Sequence, residues 1–151
     1  MPFTASHLYF DDVEVGQEWE SQGRTVTEAD IVNFAGLSGD FNPIHVDHEF
    51  AKTTPFRKPI AHGLLVWTVS SGLAINAPPM RTLALVGIRE WEFKGPVFIG
   101  DTVTLTYTIA EVDPQKGQSL ADIEVMNQNG VRVAVARHIL RWVKNLDQRG
   151  A

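Results

Sequence analysis

An aspartate and a histidine five residues apart, Asp40 and His45, stand in the run Ser38-Gly39-Asp40-Phe41-Asn42-Pro43-Ile44-His45. Five residues is a poor same-face spacing for a helix, and Pro43 disfavours helical backbone at Asn42, so the run is expected to be a turn. Asn42 can close an Asx-turn on its own backbone, which would fix the loop that presents both side chains. A carboxylate and an imidazole held on one rigid turn can move one proton and orient one water. Imidazole titrates near neutrality, and a neighbouring carboxylate sets its tautomer. His45, Asp47 and His48 can also be imagined as metal ligands, but ligands from one short stretch make an incomplete set.

A second stretch, Ala61-His62-Gly63, opens a long apolar segment. The first amides of a helix have no partner within it and sit at the positive end of its dipole. With Gly63 there, no side chain would block a carbonyl oxygen from those donors, the geometry that stabilises a thioester enolate. Tight packing is a competing reason for the same glycine. His62 is expected to bond locally rather than to catalyse. Ser70 and Ser71 can serve a backbone carbonyl of their own helix, and a site role for Ser71 stays open. Arg57 and Lys58 read as solvated loop residues, and Trp67, Trp91 and Phe93 as core or interface. An acid–base pair and an oxyanion site together suffice to add water to an α,β-unsaturated carbonyl.

The elements that must position these residues follow from periodicity. Residues 9–26 read as a lead-in segment and a strand, with Val13, Val15 and Trp19 as its apolar contacts. Thr27-Glu28-Ala29-Asp30 has the form of a capping box, and Ile31, Phe34 and Ala35 follow at helical spacing. That helix should stop near Leu37, where turn residues begin, and a short helix is expected at about 47–52. Pro55 and Pro59 mark 53–61 as a loop. His62 to Asn76 reads as a helix apolar on all sides, hence buried, with Pro78-Pro79 terminating it.

Beyond Pro79 the period changes to two. Strands are expected over 83–93, 102–112, 120–126 and 131–143, with Asn129-Gly130 as the strongest hairpin signal. One buried helix followed by four antiparallel strands is an α+β pattern, and a sheet curved around that helix would explain its apolar faces.

The 151 residues suit one domain and can bury a sizeable core. A hydrophobic share of 44% and a charged share of 21% argue against disorder or a fibrous architecture. The net charge of −5, with both signs mixed along the chain, leaves no basic stripe for nucleic acid. The absence of cysteine excludes disulfides and thiol nucleophiles. Met1 to Phe10 lacks the pattern of a signal peptide, and the apolar run Gly63–Ala77 is too short and too polar to span a bilayer. A cytoplasmic protein is the default expectation.

With these residues in view, the sequence resembles the MaoC-like hydratase family, which includes the (R)-specific enoyl-CoA hydratases. Its motif, Ser-x-Asp-x-Asn-Pro-hydrophobic-His, stands here as Ser38 to His45. The likeness continues through Pro59-Ile60-Ala61-His62-Gly63-Leu64-Leu65 and Phe93-Lys94-Gly95-Pro96-Val97-Phe98-Ile99-Gly100-Asp101, covering about Tyr9 to Val143. The resemblance implies a hotdog fold, usually dimeric, with acyl-CoA bound in a tunnel. It implies that Asp40 and His45 activate water and shuttle its proton, and that Gly63 supplies the oxyanion N–H. By the same likeness Asn42 and Ser71 help build the substrate site, and no metal or redox cofactor is implied. The carrier, CoA or acyl carrier protein, stays open, as do chain length and direction.

Two other functions fit the same fold. Hotdog thioesterases commonly place a carboxylate on or near the central helix, and Leu64–Ala77 contains none. A non-catalytic acyl-binding module would be expected to carry a damaged motif, whereas Asp40, Asn42, Pro43, His45 and Gly63 are all present.

Overall fold

Three N-caps start the helices that carry the chemistry-bearing turn. The computed structural model describes residues 7–76 and 79–145. Helix α1 spans Glu28–Ser38, and its capping box closes as expected: Thr27 Oγ1 accepts from Asp30 N at 3.1 Å while Asp30 Oδ2 accepts from Thr27 N at 2.9 Å. Gly39, at φ 78°, ends α1 in the left-handed conformation that a glycine adopts without strain. Asn42 Oδ1 then accepts from Ile44 N at 3.2 Å, the Asx-turn expected from its position. The run beyond it is a correction to the turn expectation, because Pro43–Val46 forms one helical turn, α2. Pro43 sits in its first turn, where a missing N–H costs nothing. Asp47 caps α3, His48–Ala51, through Phe50 N.

Helix α4, Gly63–Ile75, lies across the sheet, with Leu65, Val66, Trp67, Val69, Leu73 and Ala74 buried. It is not buried all round within one chain. Leu64, Thr68 and Gly72, spaced four apart, form an exposed stripe, with Leu64 58% exposed. The helix ends at Ile75 with Asn76 as its C-cap; Pro78, expected to terminate it, lies outside the described residues.

The strands are β1 (Glu18–Glu20), β2 (Arg24–Thr25), β3 (Thr82–Phe93), β4 (Thr102–Asp113), β5 (Gln118–Met126) and β6 (Arg132–Trp142). Their antiparallel order is β1-β4-β5-β6-β3, with β2 also on β4. The single strand expected before residue 27 is thus two short ones. They are separated where Ser21 enters the ladder through its own hydroxyl, which accepts from Leu105 N at 2.9 Å. Val15, expected as an apolar contact there, is exposed. Asn129-Gly130 does turn the β5–β6 hairpin, but within a five-residue loop that Asn127 Oδ1 holds by accepting from Asn129 N and Val131 N.

Alternation places the core. Val103, Leu105, Tyr107 and Ile109 of β4 and Ala121, Ile123 and Val125 of β5 face α4. In β6 the register shifts at Val125/Met126, so Ala134, Ala136, His138, Leu140 and Trp142 become the inner set. The sheet carried behind one central helix is a hotdog fold of the α+β class. No described helix is long and apolar enough to cross a membrane.

Candidate active site

Asp40 and His45 come together because α1 ends at Ser38 and α2 begins at Pro43, leaving a four-residue turn between them. Hydrogen bonds orient the aspartate from both sides. Its amide donates to Ser38 Oγ at 3.1 Å, and its Oδ1 accepts from Asn42 N at 3.1 Å. Oδ2 is left facing His45 Nε2 across 3.8 Å. The carboxylate is half exposed and the imidazole mostly buried, with side-chain exposures of 51% and 11%.

The other ring nitrogen of His45 is fixed. Nδ1 lies 2.7 Å from the carbonyl oxygen of Ile60, which can only accept, so Nδ1 carries a proton and, in the neutral ring, Nε2 holds the lone pair. Against one face of this ring stacks His62, with centroids 3.9 Å apart and planes 26° apart. His62 is itself 2% exposed, and its Nε2 lies 2.9 Å from the backbone carbonyl of Asp40. It therefore does not bond locally, as its place beside a helix start suggested.

Gly63 opens α4 beside this cluster. The amides of Leu65 and Val66 turn back to His62 O at 3.0 and 3.1 Å, while that of Gly63 has no partner among the described residues. No side chain caps this helix. The glycine also has a packing reason: a Cβ at position 63 would lie 2.5 Å from Phe93 Cζ. His45 and Gly63 line one cleft of about 440 Å³, walled by Phe56, Ile60, Val66 and Phe93. Its volume and mostly apolar walls are those of a small-molecule pocket.

Ser71 is not brought to this cleft within the chain. It lies eight residues beyond Gly63, about 12 Å along the helix axis, and lines a separate cavity of about 230 Å³ with His138. Ser70 is buried and donates to Val66 O at 2.6 Å. The side chain of Asn42 is engaged at its Oδ1 as the α2 cap. Lys58 stands over the Phe98 ring at 4.2 Å, and Arg57 donates to Lys52 O at 3.3 Å.

The metal set imagined from His45, Asp47 and His48 does not assemble. Asp47 caps α3, and His48 pairs with Glu28. Asp40, His45 and His62 do bring one ligand atom each to within 4.8 Å of one another. Nε2 of His62 is taken up by the Asp40 carbonyl, while its Nδ1 is buried without a partner.

Three residues mattered more than their sequence context suggested: His62, Phe93 and Ile60, the last through its backbone oxygen. Only His62 carried a usable signal, an ionisable residue in the N-cap position where Ser, Thr, Asp or Asn is the usual choice.

The family model described as MaoC like domain matches residues 12–131. The (R)-specific enoyl-CoA hydratase of Rhodospirillum rubrum is 43% identical over 109 residues, covering 72% of this chain and 74% of that protein. The 3-hydroxybutyryl-CoA dehydratase of Methylorubrum extorquens is 37% identical over 109 residues, covering 72% and 68%. Among solved structures, the (R)-hydratase of A. caviae involved in PHA biosynthesis superposes with a TM-score of 0.78 at 32% identity, covering 86% of this chain and 97% of that one.

Proposed function

The chain belongs to the MaoC-like family, and from that premise we propose that it is a hydro-lyase acting reversibly on a trans-2-enoyl thioester. The observation that carries the reading is the cleft shared by His45 and Gly63, with Asp40 Oδ2 3.8 Å from His45 Nε2. A water accepted between the carboxylate oxygen and the imidazole lone pair donates to both. Its oxygen attacks C3 of the substrate as one proton leaves it. Electron density moves through the conjugated system onto the thioester oxygen, where the Gly63 amide and the positive end of α4 oppose the developing charge. The proton taken up by the pair is then delivered to C2, so that the elements of one water are added. Dehydration of a 3-hydroxyacyl thioester uses the same groups in reverse.

The same reading takes acyl-CoA as substrate and (R)-3-hydroxyacyl-CoA as product. It needs no metal and no redox cofactor, because proton transfer and oxyanion stabilisation complete the reaction. A homodimer goes with it. Strand β3 has only β6 beside it among the described strands, and it exposes Leu83, Leu85 and Val86. A long apolar edge strand of this kind calls for cover, and a second copy supplies it. Light scattering after size exclusion checks the dimer, with a monomer at micromolar concentration counting against it.

The decisive experiment follows the conjugated absorbance of crotonyl-CoA and longer enoyl-CoAs, with chiral analysis of the product. Hydration to the (R)-alcohol, undiminished after dialysis against a chelator, is the expected result. A protein inert to short, long and branched enoyl thioesters on CoA and on acyl carrier protein would overturn the reading. Release of free CoA from saturated substrates would point to a thioesterase instead.

A further inference from the structure

We propose that His62 is a positioning residue for this site, holding the Asp40 main chain and the His45 ring in register as the Nε2–H tautomer. The inference rests on the hydratase reading above. It starts from what His62 touches. Its Nε2 donates to the carbonyl of Asp40 at 2.9 Å, across 22 residues of chain. Its ring face covers that of His45 at 3.9 Å, and Phe34 packs on it at 4.9 Å between centroids. Its own backbone is the N-cap of α4, directly before Gly63. One side chain thus joins the three separate pieces of the site, yet it does not line the cleft.

The other N-caps behave differently. Thr27, Asn42 and Asp47 each turn their side chains onto an amide of the helix they start. His62 sends its side chain to Asp40 and leaves α4 without a side-chain cap. Nδ1 of His62 is buried and has no partner. A buried nitrogen with no partner opposes folding, so stability alone would favour an apolar ring at this position.

The geometric consequence falls on the reacting atoms. Asp40 is held at its carbonyl by His62 and at Oδ1 by Asn42, which fixes where Oδ2 points. His45 is held at its edge by Ile60 and over its face by His62, which removes rotation about both side-chain torsions. Without His62 the 3.8 Å approach of Oδ2 to Nε2 loses two of its constraints.

Two variants separate the stacking from the hydrogen bond. His62→Phe keeps a ring over His45 and loses the donor. His62→Gln keeps an N–H at about the reach of Nε2 and loses the ring. The expected result for His62→Phe is a kcat lower by about 30- to 100-fold with KM changed less than about threefold, the scale of a misplacement of about 1 Å. His62→Gln should recover part of that loss. A folded His62→Phe enzyme with wild-type kcat, or one altered only in KM, overturns the proposal.

A second readout does not depend on turnover. The ¹⁵N shifts of the imidazole in the wild-type protein should report hydrogen on Nε2 and none on Nδ1. The opposite tautomer would mean that the Asp40 carbonyl is not held, and would overturn the proposal even if His62→Phe failed to fold. A wild-type protein inert toward every enoyl thioester would instead remove the hydratase reading, leaving the tautomer to decide whether His62 holds the turn.

Discussion

Nδ1 of His45 lies 2.7 Å from the carbonyl oxygen of Ile60, and that contact decides which ring nitrogen is free for chemistry. The carbonyl accepts, so in the neutral ring the proton sits on Nδ1 and the lone pair on Nε2, the nitrogen that faces Asp40. The pair therefore arrives with one acceptor on each side of the position a water would take. Ile60 can do this because its own amide reaches Ile44 O at 3.3 Å, which ties the Pro59–Ala61 segment to α2.

Removing either acceptor should stop the reaction without unfolding the protein, since neither side chain is part of the core. Asp40→Asn and His45→Gln are each expected to lower kcat by on the order of 100- to 10,000-fold, the usual worth of a positioned acid or base. Enoyl thioester absorbance and a thermal melt measure the two effects separately. Activity above a tenth of wild type in either variant would remove that residue from the mechanism.

Gly63 and Phe93 form a second coupled pair. A Cβ on residue 63 would meet the Phe93 ring at 2.5 Å, so Gly63→Ala must push that ring aside. Overpacking of this kind costs about 1–3 kcal/mol, and it also moves a wall of the cleft. Adding Phe93→Ala removes the obstacle, so the two substitutions should be non-additive in a denaturant double-mutant cycle by at least about 1 kcal/mol. Additive effects would show that the ring is not what forbids a side chain at 63.

Much of this was legible in the sequence wherever the pattern is local. The Thr27 capping box, the Asx-turn at Asn42, the alternation of Val103, Leu105, Tyr107 and Ile109, and the Asn129-Gly130 hairpin depend on neighbours within a few residues. What failed depended on distant partners. The bond from His62 to Asp40 spans 22 residues, and the unusual N-cap residue does not by itself name that partner. The exposed stripe Leu64–Thr68–Gly72 is invisible to composition, because an apolar helix reads as buried whatever covers it. The strand order also escaped, since pairing β3 with β6 rather than with β4 leaves no mark on either strand's own period. The motif residues Asp40 and His45 were found and are adjacent, while Ser71 was assigned by position and lies at a different cavity.

Asn42 separates two roles that its sequence position allows. Its Oδ1 caps α2 and its amide holds Asp40 Oδ1, so it acts on the turn before any contact with substrate. Asn42→Ala should cost about 1 kcal/mol in stability and lower kcat, while Asn42→Asp, which keeps the acceptor, should retain the stability. Denaturant titration beside steady-state kinetics tests both. A rise in KM alone, with stability unchanged, would instead make Asn42 a substrate ligand.

The last prediction concerns acid stability and a residue outside the active cleft. His138 points from β6 into the core, 2% exposed, with the edge of Trp67 at 4.7 Å and the Tyr107 ring at 6.3 Å between centroids. Its Nε2 has no partner, and burial pushes its pKa down to about 4. The unfolded chain binds that proton near the ordinary value of 6.5, so between the two values unfolding takes up a proton. The stabilising contribution of a neutral His138 is complete above about pH 6.5 and fades on acidification, by roughly 2 kcal/mol between pH 6.5 and 5. Asp30 acts in a lower window. Burial raises its carboxyl, but the amide and hydroxyl of Thr27 and the guanidinium of Arg24 outweigh that and hold it below its usual value. Its stabilisation is therefore intact above the ordinary carboxylate range and is lost only as pH falls through the depressed value. Urea titrations of wild type and His138→Phe at pH 7.5, 6 and 5 isolate the histidine. The difference between the two proteins should shift toward the variant by about that amount, whereas parallel pH dependences would mean that the core accommodates a charged imidazole at this position.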